Sequence, residues 1–318
     1  MAVYTQPTDE EFAALLARYD LGRPLAFKGI AEGVENSNFL LETEKGRFFL
    51  TIYEKRVARE DLPFFIGLME HLGRADYPAP APITMTDGGF LAEVRGKPAA
   101  IITFLTGVSP RKPNVAQCRA LGEALARLHQ ALADFTQTRA NSLGPDAWAP
   151  LIKPRLDLAE SLRPGLATQI EMDLALIGDW RSGLPHGVIH ADLFPDNALF
   201  IGDAVSGVID FYFSCTDALA YDIAVCLNAW CFEQGSAFNL TKGQALLAGY
   251  ETVRKLTNEE RTALPALARG AALRFFATRL ADWSATPAGA MVKPKDPLEY
   301  ADKLEFHRRA IGAGDYGG

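Results

Sequence analysis

The residues best suited to chemistry lie in residues 190–197, which read H-A-D-L-F-P-D-N. Asp192 and Asn197 stand five residues apart, and Asp210 follows 18 residues after Asp192 at the end of a short apolar run. A carboxylate can orient a hydroxyl group and accept its proton. Carboxylate and amide oxygens are also the hard ligands that Mg²⁺ prefers. The pattern therefore predicts Asp192 as a catalytic base and Asn197 and Asp210 as metal ligands.

This division of roles is what phosphoryl transfer from ATP requires, because the protein mainly positions the reactants and neutralises charge. The combined spacing, H-x-D-x-x-x-x-N followed by I-D-F, is specific, although each piece alone is weak. An ordinary turn capped by Asp and Asn side chains would also contain such residues. Because His190, Asp192, Asn197 and Asp210 all occur in register, we favour the catalytic interpretation.

The first third of the chain contains the elements of a sheet. Thr8 and Glu11 form a capping-box pattern that begins a short helix. Leucine and phenylalanine at helical spacing between residues 62 and 72 predict a second helix, and prolines after it predict an extended connector. Runs of alternating and β-branched residues predict five strands, at 26–30, 37–43, 47–54, 90–94 and 98–104.

After Gly107 the pattern becomes mainly helical, beginning with an amphipathic helix around residues 121–132. Only residues 187–210 interrupt it, where we expect a β hairpin to hold the polar loop, and residues 312–318 are expected to be frayed. A β-rich part followed by an α-rich part predicts a bilobed α+β fold. We place a nucleotide-binding lobe at residues 1–105 and a catalytic and acceptor-binding lobe at residues 106–318. The further expected helices are 150–160, 168–181, 218–231, 242–254 and 264–283.

Composition narrows the class of partner. The net charge of −7 argues against nucleic acid, whose phosphates need dense Lys and Arg surfaces. The start of the chain is polar and acidic, unlike a signal peptide, and the apolar stretch 218–232 is short and contains Asp222, so we expect a buried helix rather than a membrane span. The four cysteines lack CxxC spacing, which favours buried reduced thiols. These features predict a cytoplasmic protein.

The polar loop and its flanks resemble the kinases of the aminoglycoside phosphotransferase and choline kinase type. The resemblance implies a protein-kinase-like fold with a five-stranded antiparallel sheet, and ATP and Mg²⁺ as cofactors. It gives His190 and Asp222 structural roles in the catalytic loop. Phe194 stands where protein kinases carry a lysine, which argues for a small-molecule acceptor.

The same resemblance assigns the nucleotide side of the site. Residues 29–38 would cover the phosphates, with Gly33, Asn36, Ser37 and Asn38 as binding residues. Without the motif at residues 190–197, an ordinary hairpin turn would be an equally good interpretation of this segment. The connector after the fifth strand would receive the adenine. Its binding residues are Thr103, Phe104 and Leu105.

The third strand departs from the family pattern. The position that usually carries a phosphate-binding Lys or Arg holds Thr51. Lys55 and Arg56 follow it, but strand alternation gives them a different placement. Lys28 is another candidate cation, and Glu70 is the candidate for the helix glutamate that normally pairs with the missing lysine.

Longer stretches of the sequence, such as residues 27–39, 209–213, 227–233 and 268–275, resemble the bacterial homoserine kinases built on this fold. That resemblance implies L-homoserine as the acceptor, in threonine biosynthesis. An amino acid needs a cation for its carboxylate and an acidic partner for its ammonium. Arg274, Arg279, Asp282 and Tyr212 are the candidates for acceptor binding.

Alternatives remain for these residues and for the acceptor. Arg279 and Asp282, three residues apart, would also suit a surface ion pair, Tyr212 would suit the core, and His129 is interpreted as a packed histidine. Choline, ethanolamine, methylthioribose or an aminoglycoside would suit the same fold. A nucleotide-binding scaffold without catalysis is the rival from another class, and Thr51 is the feature that favours it.

Overall fold

A computed structural model describes residues 5–30, 36–54, 57–176, 182–233, 237–286 and 294–318. Its first lobe is built on an antiparallel sheet with the strand order β1-β2-β3-β5-β4. All five predicted strands are present, with ends within about two residues of those expected. They are β1 (Pro24–Ile30), β2 (Ser37–Thr43), β3 (Gly46–Ile52), β4 (Ala92–Val94) and β5 (Lys97–Thr103).

The two faces of this sheet bury different helices. One face packs with α1 (Asp9–Leu16), whose capping box between Thr8 and Glu11 is formed as predicted. The other face packs with α2 (Leu62–Arg74) and continues into the core of the second lobe. Strand alternation therefore directs odd and even residues of β3 toward opposite sides, and Thr51 lies on the side of the second lobe.

The second lobe is mainly helical, which confirms the bilobed α+β fold. Its helices α3 and α8 approach very closely, because a Cβ on Gly122 or Gly249 would lie 2.0 Å from a backbone carbonyl of the other helix. The position of the boundary after residue 105 stays a prediction. The helices are α3 (Val115–Ala131), α4 (Pro145–Ile152), α5 (Leu156–Leu162), α6 (Leu166–Leu176), α7 (Leu219–Trp230), α8 (Leu240–Tyr250), α9 (Asn258–Ala285) and α10 (Leu298–His307).

Two antiparallel ribbons carry the chemistry-bearing segment. β6 (His186–Ile189) pairs with β9 (Cys215–Ala218), whereas β7 (Ala198–Ile201) pairs with β8 (Ala204–Val208). The expectation that one hairpin holds the polar loop was therefore wrong. The loop joins two separate ribbons, and a partner strand distant in sequence fixes its first end.

The end of the chain also differs from expectation. A 3₁₀ turn, Ala313–Tyr316, replaces the expected frayed tail. Tyr316 is fully buried, and its hydroxyl lies 2.9 Å from Nδ1 of His307 on α10. All four cysteines are buried and free. Within the described ranges, no helix is both long and apolar enough to cross a membrane.

Candidate active site

Asp222 of α7 holds the start of the catalytic loop. Its two carboxylate oxygens accept hydrogen bonds from the backbone N–H groups of His190 (2.7 Å) and Ala191 (2.8 Å). Ala191 has a φ of 64°, a left-handed conformation that is uncommon for a residue with a Cβ. The paired hydrogen bonds stabilise that strained turn immediately before Asp192. They support the structural role predicted for Asp222.

His129 of α3 is a second buried partner of Asp222. Its Nε2 lies 3.2 Å from the Asp222 carboxylate, and its Nδ1 lies 2.8 Å from the hydroxyl of Tyr250. Burial alone would raise the pKa of Asp222, but the hydrogen bond from His129 and those from the loop outweigh it, so the pKa is lowered. His129 is thus packed against a carboxylate that stays ionised.

The ring of His190 ties the loop to the strand that precedes Asp210. Nε2 lies 3.0 Å from the carbonyl of Ile209, and Nδ1 lies 3.3 Å from the backbone N–H of Asp192. Those partners require a neutral ring with the proton on Nε2. Burial lowers the pKa of His190, which favours this neutral form. The contacts support an architectural role for His190.

Asn197 completes the loop and brings Asp210 beside it. Its Nδ2 donates to the carbonyl of Asp192 at 2.8 Å, and its backbone carbonyl accepts from Ile209 N–H at 2.9 Å. Asn197 and His190 therefore bond to the N–H and to the carbonyl of Ile209, the residue before Asp210. Asp210 follows with φ 66° and ψ 62°, a second left-handed residue at the site. Hydrogen bonds thus connect Asn197 to Asp192 and to the residue before Asp210. The roles of the three residues stay predictions.

The donor chemistry of Asn197 and Asp210 fits Mg²⁺. With Nδ2 turned toward Asp192, the amide oxygen of Asn197 faces away and is a suitable ligand. Mg²⁺ in kinases binds one or two protein groups and takes its other ligands from phosphate and water. The described residues contain no group of three or more His, Cys, Asp or Glu that could hold a metal ion.

Asp192 lies at the surface of this network, with its side chain 20% exposed. Burial raises its pKa, and the positive charges of Arg274 and Lys295 act in the opposite direction. A carboxylate with a raised pKa is a stronger base once it is ionised. The setting therefore suits proton acceptance from a hydroxyl.

Arg274 of α9, predicted to bind the acceptor, contacts the catalytic loop itself. It donates to the carbonyl of Ala191, and its Nη2 lies 3.6 Å from Oδ1 of Asp192. Its guanidinium lies over the ring of Phe213, 5.5 Å from the centroid, and over the ring of Phe275, 4.3 Å from the centroid. Arg274 is only 3% exposed. These contacts make it a positioning residue for Asp192, and its binding of the acceptor stays a prediction.

The other acceptor candidates lie in different surroundings. Arg279 donates to Glu299 at 2.6 Å, so its observed ion pair is with α10 rather than the expected pair with Asp282. Asp282 is exposed one turn further along α9. Tyr212 donates to the Tyr53 hydroxyl at 3.4 Å and packs edge-on against Phe65, which agrees with the core alternative. Acceptor binding by all three stays a prediction.

Side chains on the nucleotide side bond within their own lobe. Ser37 donates to Glu54 at 2.7 Å, Asn36 accepts from the Glu54 backbone N–H, and Asn38 accepts from Thr51 at 2.9 Å. Phosphate binding at these positions would use backbone N–H groups. It stays a prediction, and Gly33 lies outside the described residues.

The candidate cations and the adenine connector can be placed in part. Lys28 is exposed on β1, while Lys55 and Arg56 lie outside the described residues. Glu70 pairs with Arg74 on the surface of α2 at 3.3 Å, and its pairing with a phosphate-binding cation stays a prediction. On the connector, Thr103 bonds to Ala81, Phe104 stacks on Phe49, and Leu105 packs toward Gly207. Nucleotide binding by these three connector residues stays a prediction.

A β-rich lobe, a helical lobe and an Asp-Asn-Asp constellation at the ends of two ribbons define a kinase-like phosphotransferase. The sequence matches the phosphotransferase enzyme family over residues 26–256. The structure is similar to that of a spectinomycin phosphotransferase in complex with ADP and spectinomycin, with a TM-score of 0.69, 11% identity, and coverage of 99% of this chain and 98% of that one. That similarity extends the fold assignment over both lobes.

Relatives with much higher sequence identity show which group within the family this chain belongs to. The homoserine kinase of Hyphomonas neptunium is 58% identical over 327 residues, covering 100% of both chains. The homoserine kinase of Phenylobacterium zucineum is 61% identical over 309 residues, covering 97% of this chain and 96% of its own. The chain therefore belongs to the phosphotransferase enzyme family and, within it, to the homoserine kinases.

Proposed function

We propose that this protein transfers the γ-phosphoryl group of ATP to the hydroxyl of L-homoserine, giving O-phospho-L-homoserine and ADP. The observation that carries the proposal is the end-to-end identity of 58% to a homoserine kinase, which leaves no large segment of that relative unmatched. The loop that positions Asp192 supports the assignment of phosphoryl transfer. The full-length identity to a homoserine kinase supports the assignment of homoserine as the acceptor.

In the proposed mechanism, Asp192 orients the acceptor hydroxyl and takes its proton as the oxygen attacks the γ-phosphorus and the bond to ADP breaks. Asn197 and Asp210 would hold Mg²⁺, which neutralises charge on the phosphates when it is bound. Arg274 keeps Asp192 in place through the Ala191 carbonyl. The hydrogen bond from Asn197 to the Asp192 carbonyl links the metal side of the site to the base.

The test is an ADP-release assay with homoserine, choline, ethanolamine, methylthioribose and an aminoglycoside as acceptors. We expect kcat/KM for homoserine to exceed that for each other compound by at least about tenfold, as is typical of a site built for polar groups. Preferred turnover of another acceptor would contradict the assignment. Binding of Mg·ATP without phosphorylation of any acceptor would instead support the scaffold alternative.

The metal ligands are tested separately by titrating Mg²⁺ with Asn197→Ala and Asp210→Ala. Each variant should need more Mg²⁺ for half-maximal activity, and the loss of Asp210 should have the larger effect because it removes a charged ligand. Asp203→Ala, on the exposed β7–β8 turn, is the matched control. An unchanged titration in either variant would remove that residue from the metal site.

A further inference from the structure

A cation from a distant segment lies beside the catalytic loop. The ammonium of Lys295 lies 5.5 Å from the centroid of the Phe194 ring, within the range of a cation–π contact. Phe194 is two residues beyond Asp192, and its backbone N–H donates to the Asp192 carbonyl at 2.8 Å. Lys295 is exposed, so a ligand at Asp192 can reach it from solvent.

The neighbouring cations already have partners. Arg274 bonds to the catalytic loop, Arg279 bonds to Glu299, and Lys303 bonds to Glu299 from the opposite side. For Lys295, by contrast, no carboxylate of the described residues forms an ion pair. Its charge is therefore available to an anionic ligand.

We propose that Lys295 binds the carboxylate of the amino-acid acceptor while the acceptor hydroxyl lies at Asp192. The inference rests on the proposed function and names a residue that determines which acceptor is bound. The hydroxyl oxygen and the carboxylate carbon of homoserine are four bonds apart, about 5 Å when extended at the usual bond lengths. Such a ligand reaches from the side of Asp192 to a cation beside Phe194. The electrostatic effect of Lys295 on the pKa of Asp192 agrees with this proximity.

The experiment compares two acceptors that differ only in the carboxylate, L-homoserine and 3-amino-1-propanol. The variants are Lys295→Met, which keeps the apolar stem, Lys295→Arg, which keeps the charge, and Lys255→Met, an exposed lysine just before α9. All assays are run at one fixed pH on the plateau of each variant's kcat/KM profile, so that a change in the protonation of Asp192 does not enter the comparison.

We expect Lys295→Met to raise KM for homoserine roughly 10- to 100-fold, because this is the effect of losing one charge-assisted hydrogen bond. KM for ATP and kcat/KM for 3-amino-1-propanol should change less than about twofold, and Lys295→Arg should recover most of the homoserine affinity. Equal losses for both acceptors, a change confined to ATP, or no change would overturn the inference. If wild-type protein fails to phosphorylate homoserine at all, the proposed function fails, and this inference fails with it.

Discussion

The two lobes hold the residues of the candidate active site in different ways. On the second-lobe side, the loop around Asp192 is fixed by buried polar groups from α3, α7 and α9, among them His129, Asp222 and Arg274. On the first-lobe side, Thr51 and Asn38 bond to each other across β3 and β2. The predicted base, Asp192, is thus held by long-range contacts, whereas the side chains at the predicted nucleotide side bond to each other within the sheet. Substitutions on the two sides should therefore differ in both size and kind.

The largest effect is expected at Asp192. Asp192→Asn removes the proton acceptor but preserves the size of the side chain, so turnover should fall by at least about 100-fold while ATP still binds. Steady-state kcat and a separate measurement of nucleotide affinity check this. Asp196→Asn, an exposed residue of the same loop, should leave kcat unchanged. Normal turnover in Asp192→Asn would remove Asp192 from its assigned role.

The next largest effect is expected at Asp222, although it does not touch the acceptor. Asp222→Asn can accept only one of the two loop N–H bonds with its single oxygen, and it loses the charge that faces His129. We expect a loss of about 3 kcal/mol in the free energy of unfolding. Because a displacement of about 1 Å can cost about 100-fold in rate, kcat should also fall.

A comparison with Asp173, a buried carboxylate outside the candidate active site, separates an effect on stability from an effect on catalysis. Asp173→Asn breaks a comparable contact, because Asp173 is 1% exposed and pairs with Arg308 at 2.7 Å. Thermal unfolding of both variants should show destabilisation, but only Asp222→Asn should lower kcat at a temperature where both are folded. Equal kcat values would mean that Asp222 contributes stability alone.

Arg274 should affect the pH dependence. Burial raises the pKa of Asp192 above the ordinary aspartate value and Arg274 opposes the rise, so the predicted base takes up its proton at a higher pH than an ordinary aspartate does. Activity is therefore present at higher pH and lost on acidification. Because Arg274 lowers the pKa of Asp192, Arg274→Met should move the acid limb of the kcat/KM profile to higher pH. Arg274→Lys, which keeps the charge, should move it less. Arg269→Met, on the same helix but bonded to His307, should leave the limb in place.

The contrast between the two sides also explains what sequence could predict. The strands of the first lobe follow from local patterns and were predicted to within about two residues of their ends. The grouping of Asp192, Asn197 and Asp210 also rests on a local pattern, and their roles stay predictions. The partner of β6 was missed because β9 lies 26 residues beyond its end. The contact of Arg274 with the catalytic loop and the position of Lys295 beside Phe194 were missed for the same reason, since both depend on where distant segments return to the loop.

Helix α10 was not predicted, because a buried charged residue interrupts its apolar periodicity. Tyr300 and Leu304 give it an apolar face, but Lys303 is also buried and donates to Glu299 and to the carbonyl of Asn228. A lysine on the inner face weakens the periodic signal that identifies a helix. In the tail, similarly, nothing local reveals that Tyr316 reaches His307.

The smallest effect is expected at Thr51, where the family pattern has a cation. Thr51→Val keeps the shape and removes one neutral hydrogen bond to Asn38, which should cost about 1 kcal/mol of stability. Thr43→Val, whose hydroxyl bonds to Gly46 at the far end of the same strand pair, provides the matched comparison. If backbone groups hold the phosphates, both variants should change KM for ATP by less than about twofold, because neither removes a charge. A tenfold rise in Thr51→Val alone would place the hydroxyl on the nucleotide, and the first-lobe side would then recognise phosphate through a side chain after all.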